Sequence, residues 1–454
     1  METEFNKLNI SDIENCSYCS KPFTEESWCK ECDPLRIMEG WTSGNPYVDK
    51  FIKDTMYKPI MEYGRCVQFL EWVPYDRFTD MKEIGEGGFA KVYSATWIDG
   101  KSEYYEKNDG TWLKADPDPM TVALKKLNGS QNISEEYLNE LRIHWNLYKD
   151  LGLRFHGMSK DPETKEFIMI IRLAERGNLR NNLTDNFNSI LWKEKILLLR
   201  HLLKDLKGLH TLGYFHKDFH SGNVLQTSSS YYISDFGLSG PASEQKSGDK
   251  IYGILPYVAP EVLAGEPYTS SSDIYSLGIL MTEISSGNPP FHNKKYDINL
   301  VLDICKGLRP EFGKGTPEIY KRIAYNCMNA DSNKRPTTVE LYDVLDFWYS
   351  SIRDDGEEEE KFGYKRKEIK EAFEKADREI PNISTSRKKN SDVIYTSSQL
   401  TFDNLPKPVN SSAFTSYIDN EVFDSQLIDM VISDEIQLED NDDENDENND
   451  YELN

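Results

Sequence analysis

The chain has 454 residues, 38% of them hydrophobic and 12% aromatic, which is ordinary for a globular protein with a buried core. Its formal net charge of −25 argues against nucleic-acid binding, which needs a concentrated basic face. METEFNKLNI is polar and the longest apolar segment, YSLGILMTEI, is too short to span a bilayer, so we expect no secretory signal, no membrane insertion, and a location in the cytoplasm or nucleus.

Seven cysteines are present, and this odd number argues against a disulfide framework. Four of them form two Cys-x-x-Cys pairs near the start of the chain, namely Cys16, Cys19, Cys29 and Cys32. Two such pairs can present four thiolates in the tetrahedral arrangement that structural Zn²⁺ prefers. We therefore expect residues 1–35 to form a small zinc knuckle that folds only with its metal. The alternative is that these thiols are unconnected or form redox pairs.

Residues 36–77 are expected to form a helical linker, because Tyr47, Phe51 and Ile52 recur at roughly helical spacing. The pattern then becomes strand-like: MKEIGEGGFAKVYSATWI predicts a hairpin around a glycine-rich turn, and TVALKKL and FIMIIRL predict further strands. The amphipathic helix SEEYLNELRIHWNLY lies between these two strands, and ILWKEKILLLRHLLKDLKGLH predicts a buried helix after them. Strands first and helices afterwards indicate an α+β fold in two lobes.

The glycine-rich turn GEGGFA is suited to binding phosphates. Gly85 and Gly87 allow backbone N–H groups to approach triphosphate oxygens with no Cβ in the way. The third position of the G-x-G-x-x-G pattern is Ala90, a mild departure.

A lysine and its partner carboxylate follow this turn. V-A-L-K places Lys125 on a strand, where it can contact the α- and β-phosphates, and the next helix offers Glu140 as its partner. Glu135 and Glu136 are rivals for this pairing, but their place in the first turn suits them to the helix dipole.

The polar stretch HKDFHSGN places Asp218 and Asn223 at the spacing of the phosphoryl-transfer loop H-R-D-x-x-x-x-N. Asp218 can accept the proton of a substrate hydroxyl, and Asn223 can ligate Mg²⁺. Further along, ISDFGLS supplies Asp235 as a second metal ligand. Phosphoryl transfer needs metals, a positioned base and a lysine clamp, and the sequence supplies all of them in order.

With A-P-E at 259–261, D-I-Y-S-L-G and K-R-P-T following in order, residues 78–350 resemble a eukaryotic protein kinase domain. Within the protein kinase superfamily, this domain is most similar to the tyrosine-kinase-like group. The Cys pairs, WTSGN, HSGN and LPYVAPEVL further resemble a lineage-expanded fungal kinase family with an N-terminal Cys knuckle. The resemblance implies a bilobal kinase fold: a small β-rich N-lobe with one regulatory helix at 78–174, and a large helical C-lobe at 175–350. It also implies ATP and Mg²⁺.

The resemblance implies roles around the nucleotide as well. Val92, Ala123 and Leu225 should sandwich the adenine, Ile171 should be the gatekeeper, and Arg172 to Ala174 should form the hinge. The residues expected to contact ATP are Ile84, Gly85, Glu86, Gly87, Gly88, Phe89, Ala90, Val92, Ala123, Lys125, Ile171, Arg172, Leu173, Ala174 and Leu225.

The same resemblance implies supporting contacts. His144 should stack above Phe236 and His216 in the spine of the active state. Glu261 should pair with Arg335, and Asp273 should hold the backbone of the catalytic loop.

Three further positions depart from the kinase pattern. His220 stands where serine/threonine kinases carry a lysine, and Ile254 stands where they carry a threonine that reaches the catalytic aspartate. Lys217 replaces an arginine, which removes a bidentate fork but keeps a positive charge. The site is therefore either rewired, with His220 donating to phosphate, or decayed. Since base, metal ligands and lysine all survive, we expect an active kinase for Ser/Thr hydroxyls of proteins, with Tyr less favoured. The alternative is a catalytically weak pseudokinase acting as an ATP-binding scaffold.

Beyond the kinase domain, residues 351–380 are expected to form a charged helix, with Phe362, Ile369 and Phe373 on one face. Residues 381–454 are expected to be a disordered acidic tail, since 421–454 contain 14 Asp or Glu and no Lys or Arg. The tail either solubilises the chain or docks a basic partner, and knuckle and tail are the candidate docking surfaces. YTSSQLTFDNLPKP (395–408) has enough apolar residues to be a short binding motif.

Overall fold

A computed structural model describes residues 41–57, 60–62, 66–87, 90–106, 112–115, 118–133, 135–149, 152–241, 251–353, 359–385, 397–402 and 405–412. The described residues fall into two compact units that divide after Glu175, with Asp235–Gly237 belonging to the first. We call the first unit the N-lobe and the second the C-lobe. The predicted knuckle, with Cys16, Cys19, Cys29 and Cys32, lies outside the described residues, so it stays a prediction.

The N-lobe is built on a six-stranded sheet in the order β3-β9-β10-β8-β5-β4. Its strands are β3 (Glu71–Trp72), β4 (Phe78–Glu86), β5 (Ala90–Trp97), β8 (Met120–Leu127), β9 (Phe155–Lys160) and β10 (Phe167–Arg172). The neighbours are antiparallel except for β3 and β9, which are parallel. Alternating apolar residues from these strands, among them Trp97, Val122, Leu124 and Ile170, form a buried cluster on one face. The helix α2 (Glu135–Lys149) follows β8.

The segment before the sheet extends the N-lobe. It contains α1 (Pro46–Tyr57), β1 (Ile60–Glu62) and β2 (Cys66–Gln68). These two strands form a small second sheet, in the order β1-β2-β6-β7, with β6 (Glu103–Glu106) and β7 (Trp112–Ala115), which lie between β5 and β8 in the chain. In α1, Phe51 and Ile52 are buried, whereas Tyr47, which we expected on the same packing face, is exposed. Strand β3 approaches β9 so closely that a Cβ on Gly157 would lie 2.1 Å from the carbonyl oxygen of Glu71. Only glycine permits this sixth strand.

The C-lobe is mainly helical, which gives the mixed α+β architecture expected of a kinase domain. Its helices are α3 (Leu179–Asn186), α4 (Trp192–Thr211), α5 (Pro260–Leu263), α6 (Ser270–Ser286), α7 (Ile298–Cys305), α8 (Glu318–Cys327), α9 (Thr338–Arg353) and α10 (Arg366–Glu379). Its short strands are β11 (Tyr214–Phe215), β12 (Val224–Gln226), β13 (Tyr231–Ile233), β14 (Gly240–Pro241), β15 (Ile251–Gly253), β16 (Glu360–Lys361), β17 (Tyr364–Lys365) and β18 (Ser398–Leu400). Among the residues given above, no helix is long and apolar enough to cross a membrane.

The region after the kinase domain packs on the C-lobe. A short hairpin, β16 and β17, precedes α10, and Ile369 and Phe373 on that helix are fully buried. The Phe373 ring lies 5.5 Å from each of the Trp192 and Trp348 rings, measured between centroids. Charge therefore dominates only the outer face of this helix, and the apolar face is part of the core.

Part of the tail that the sequence predicted to be disordered carries defined structure. Residues 397–402 and 405–412 are described, and β18 pairs with β15 in an antiparallel ladder. The acidic end of the chain lies outside the described residues.

Candidate functional site

The N-lobe brings Lys125, Glu140 and Asp235 together. Lys125 projects from β8, and its Nζ lies 2.6 Å from Glu140 Oε1 and 3.0 Å from Asp235 Oδ1. Burial alone would lower the pKa of Lys125, but the charges of Asp235 and Glu140 and their hydrogen bonds raise it above its ordinary value. The ammonium is therefore kept charged. Glu140 of α2 is therefore a pairing partner of Lys125, as the sequence predicted.

Asp235 has an unusual backbone. Its φ of 65° lies in the left-handed region, where a non-glycine residue is strained. A Cβ on the nearby Gly237 would lie 3.6 Å from both Asp235 Oδ1 and Glu140 Oε2. In the same part of the N-lobe, the His144 ring of α2 meets the Phe236 ring edge-on, with centroids 4.8 Å apart. The C-lobe residue His216 contacts the Ser234 carbonyl at 3.1 Å.

The glycine-rich turn joins β4 and β5. Gly85 lies opposite Val92, Glu86 lies opposite Lys91, and the Gly87 N–H donates to the Ala90 carbonyl at 2.8 Å. Among the described residues, no atom lies within 4 Å of the position that a Gly85 Cβ would occupy. Ile84 is half exposed, whereas Ala90 is buried. Gly88 and Phe89, at the tip of the turn, lie outside the described residues.

The expected adenine and hinge residues lie on adjacent strands of the N-lobe sheet. Ala123 of β8 pairs with Ile171 of β10, and both side chains are buried. Strand β10 ends at Arg172, and the partly buried Leu173 and Ala174 follow it. Leu225, which is also expected to contact the adenine, lies on β12 in the C-lobe and forms an isolated bridge with Asn178.

The C-lobe holds the catalytic-loop residues in one hydrogen-bonded group. Asn223 Nδ2 donates to the Asp218 carbonyl at 2.9 Å and to Asp218 Oδ2 at 3.3 Å. Asp273 of α6 accepts from the backbone N–H groups of His216 and Lys217 at 2.9 and 3.1 Å. Lys217 has a φ of 68°, so these bonds hold a strained turn in place.

His220 faces Asp218. Its Nδ1 accepts the Gly222 backbone N–H at 3.0 Å, which places the proton of a neutral ring on Nε2. That Nε2 lies 3.5 Å from Asp218 Oδ1 and 3.3 Å from Ser397 Oγ. His220 is thus oriented as a hydrogen-bond donor toward the carboxylate and toward a hydroxyl beside it.

The environment of Asp218 keeps it ionised. Burial alone would raise the pKa of its carboxyl, but the interaction with His220 and the hydrogen bond from Ser397 outweigh burial and lower the pKa. An ionised carboxylate can accept a proton, which is what a general base requires.

A glycine and an apolar residue stand where the kinase pattern has its threonine contact. Ile254 is buried and has no polar side-chain atom. The preceding Gly253 comes close instead: a Cβ there would lie 3.5 Å from Asp218 Oδ1 and 3.0 Å from Val258 Cγ2. A hydroxyl does reach the carboxylate, but it comes from Ser397, whose Oγ donates to Asp218 Oδ2 at 2.5 Å.

Sequence reasoning missed Ser397 and the network beneath the catalytic loop. Ser221 Oγ donates to the buried carboxylate of Glu283 at 2.9 Å, and the Tyr257 hydroxyl donates to the same carboxylate. Arg180 Nε donates to Ser221 Oγ at 3.1 Å. Burial raises the pKa of Glu283. No local motif marks these contacts. For Ser397, the only signal was the mixed apolar and hydroxyl composition of the tail segment.

A buried ion pair supports the same lobe. Arg335 Nη1 and Nη2 contact Glu261 Oε1 and Oε2 at 2.6 and 2.7 Å, a bidentate arrangement. The guanidinium also lies over the Tyr275 ring, 5.2 Å from its centroid.

A β-sheet lobe with a charged lysine between two carboxylates, and a helical lobe with an ionised aspartate beside an asparagine, define a protein kinase catalytic domain. Residues 78–345 match the family described as protein tyrosine and serine/threonine kinase, more than half of the chain, and the chain belongs to that family.

Curated relatives carry kinase names. The chain is 26% identical over 268 residues to one probable serine/threonine-protein kinase of Dictyostelium discoideum, and 30% identical over 280 residues to another. These matches cover 58% of this chain but 15% and 26% of the relatives. A probable serine/threonine-protein kinase of Arabidopsis thaliana is 26% identical over 294 residues, with 58% and 66% covered. The chain spans between 10% and 26% of the length of the first four curated relatives.

The kinase family implies ATP and Mg²⁺, and the residues present suit both. Asn223 donates through its amide nitrogen, so the amide oxygen is its ligand atom, and Asp235 is a carboxylate; Mg²⁺ prefers such hard oxygen ligands. Within the described ranges, no group of three or more His, Cys, Asp or Glu side chains is arranged to hold a metal ion.

Proposed function

We propose that this chain is a protein kinase that transfers the γ-phosphoryl group of ATP to serine or threonine hydroxyls of protein substrates. The observation that carries the proposal is the buried ammonium of Lys125, held charged by contacts with both Glu140 and Asp235. Burying such an ion cluster costs stability relative to apolar packing, so its presence points to function. The printed names of the relatives favour serine and threonine over tyrosine as acceptors.

Each side chain that matches the kinase pattern then has a role. Lys125 binds the α- and β-phosphates, the turn with Gly85 and Gly87 approaches the phosphate oxygens through its backbone, and Asp218 accepts the proton of the substrate hydroxyl. Asn223 and Asp235 would hold Mg²⁺, which when bound supplies neutralisation of phosphate charge.

The nucleotide base would be contacted by apolar side chains. Val92, Ala123 and Leu225 would contact the adenine, Ile171 would act as gatekeeper, and the backbone of 172–174 would hydrogen-bond the purine. The apolar, buried character of Ala123 and Ile171 supports this assignment.

His220 takes over the function of the missing lysine. Its Nε2 lies near the Asp218 carboxylate and the Ser397 hydroxyl, and its N–H can donate to the transferred phosphoryl group. The departure from the kinase pattern is therefore a rewired hydrogen-bond network rather than decay. This replacement supports an active enzyme over a scaffold.

Finer assignments rest on resemblance alone. We assign the domain to the tyrosine-kinase-like group and to the fungal family with a Cys knuckle, place zinc on the four N-terminal cysteines, and locate the protein in the cytoplasm or nucleus. The domain limits 1–35, 36–77, 78–350, 351–380 and 381–454 belong to the same proposal. The knuckle and the acidic tail would be docking surfaces for protein partners.

The test is phosphate transfer from ATP with Mg²⁺ to a generic basic protein, with mass-spectrometric identification of the modified residue. We expect phosphoserine or phosphothreonine from the wild type and none from Asp218→Asn or Lys125→Met. Lys126→Met is the matched control: Lys126 is the next residue of β8 and pairs with Asp161 at 3.2 Å, apart from the catalytic cluster. If the wild type binds ATP but transfers no phosphate, the kinase proposal is refuted and the alternative of an ATP-binding scaffold is supported.

A further inference from the structure

The tail of the chain adds a strand to the end of the segment that follows Asp235. β18 runs antiparallel to β15, with Ser398 opposite Gly253, Gln399 opposite Tyr252 and Leu400 opposite Ile251. Addition of an extended peptide to an exposed edge is a general mode of peptide recognition, in which backbone hydrogen bonds supply affinity and fix register. The register here is what determines which tail side chain reaches the catalytic loop.

That register places Ser397 at the catalytic base. Its Oγ donates to Asp218 Oδ2 at 2.5 Å, and the same Oγ lies 3.3 Å from His220 Nε2. A general base must lie within about 2.6–3.2 Å of the hydroxyl whose proton it abstracts. Ser397 is therefore in the position of an acceptor hydroxyl, and the next residue, Ser398, is exposed.

A second attachment fixes the tail beyond the strand. The Val409 N–H donates to the Cys305 carbonyl at 2.9 Å, and Asn410 Oδ1 accepts the Ala330 N–H at 2.8 Å. Asn410 Nδ2 also donates to Asn329 Oδ1 at 3.0 Å. The chain passes so close to Gly307 that a Cβ there would lie 2.3 Å from the Ser411 nitrogen. Two separate attachments on one lobe hold Ser397 at a high effective concentration beside Asp218.

We propose that Ser397 is an intramolecular phosphorylation site, modified in cis by the catalytic site of its own C-lobe; this rests on the function proposed above. In the step, a bond forms between Ser397 Oγ and the γ-phosphorus of ATP. The bond from that phosphorus to the β–γ bridging oxygen breaks, and ADP leaves with the electron pair. The hydroxyl proton passes to the Asp218 carboxylate.

The same contact regulates access to the site. While Ser397 is unmodified, β18 occupies the edge of β15 and the hydroxyl occupies Asp218, so an external substrate must displace both. After transfer, a phosphate with a charge of about −1.5 to −2 lies against the Asp218 carboxylate, and repulsion expels the strand. Self-phosphorylation thus converts an occupied acceptor site into an open one.

The test uses full-length protein that has been treated with phosphatase and then freed of it. After addition of ATP and Mg²⁺, phosphate on Ser397 is followed by mass spectrometry over roughly a hundredfold range of protein concentration. We expect a first-order rate constant that does not change with concentration, loss of the signal in Ser397→Ala and Asp218→Asn, and phosphothreonine at this position in Ser397→Thr. Ser398→Ala is the matched control and keeps phosphate on Ser397, because the exposed Ser398 side chain does not reach Asp218.

A generic basic protein in the same reaction separates the two proposals. If that protein is phosphorylated while Ser397 stays unmodified, or if the rate constant for Ser397 rises in proportion to protein concentration, the cis site is refuted and the kinase function stands. If neither is phosphorylated although ATP binds, the kinase function itself is refuted, and the cis site with it.

Discussion

Replacing His220 by alanine tests whether this residue has taken over the role of the missing lysine. The change removes the donor that lies 3.5 Å from Asp218 Oδ1. At 3.5 Å this contact is too long to count as a full hydrogen bond, so we take about 1.5 kcal/mol, the lower end of the range for a hydrogen bond to a charged group. About 1.5 kcal/mol corresponds to roughly a tenfold loss of kcat and to roughly one unit in the pKa of the carboxyl.

Loss of His220 should also change how the activity depends on pH. Catalysis needs the Asp218 carboxylate, so activity is lost as pH falls through its pKa, and His220 holds that pKa low against the effect of burial. Without His220 the pKa rises. We therefore expect the acidic limb of the kcat profile to move to higher pH by about one unit.

The assay is the initial rate of phosphate transfer to a generic basic protein between about pH 3 and 7, a range that includes the titration of a carboxyl whose pKa is lowered from its ordinary value. His220→Gln, which keeps a donor, should recover part of the rate. His292→Ala is the control, since His292 is remote from the catalytic loop in sequence and makes its described hydrogen bond through its backbone. An acidic limb that does not move in His220→Ala would refute the reasoning, even if the rate fell.

Three further outcomes are expected. Asn410→Ala removes two hydrogen bonds of the second tail attachment, so Ser397 should be phosphorylated more slowly and an external protein faster before activation; equal initial rates in variant and wild type would contradict this. Arg335→Ala leaves the partly buried carboxylate of Glu261 unpaired and should lower the free energy of unfolding by about 3–5 kcal/mol in a urea titration, whereas Lys334→Ala, at an exposed neighbouring position, should not. Burial raises the pKa of Asp205 to about 7, so folding favours its protonated form; its contribution to stability is complete below about pH 4 and is lost as pH rises through 7. Asp205→Asn should therefore remove this pH dependence, and a stability profile identical to that of the wild type would show that another group causes it.

The departures from the kinase pattern are connected in the structure. His220, Gly253 and Ser397 all approach the Asp218 carboxylate, while Ile254, at the position of the expected threonine, is buried and carries no polar side-chain atom. A threonine contact and a hydroxyl from the tail would compete for the same carboxylate oxygens. The absence of the threonine therefore leaves a carboxylate oxygen of Asp218 accessible to the Ser397 hydroxyl.

The N-lobe sheet shows how a local pattern can miss an element. Glu71–Trp72 is too short and too polar to predict a strand from periodicity. It pairs with β9 only because Gly157 allows the two backbones to approach and because Trp72 packs near Phe167, with ring centroids 6.3 Å apart. Both partners lie far along the chain, so no window of sequence contains the information.

By itself the sequence determined the class of chemistry. Lys125, Asp218, Asn223 and Asp235 each lie in a short motif whose spacing is set by a turn or a strand, and their order along the chain excludes most other folds. Such motifs can be recognised locally because the backbone geometry that they need is local.

Only the tertiary structure decided what meets Asp218. Ser397 is 179 residues away in sequence, and its position depends on the pairing of β18 with β15 and on the attachment at Asn410. Strand pairing and docking are set by long-range packing, in which a shift of one residue would turn the other face of the strand inward. Asp218 could therefore be named as the candidate base from the sequence, whereas the hydroxyl beside it could not.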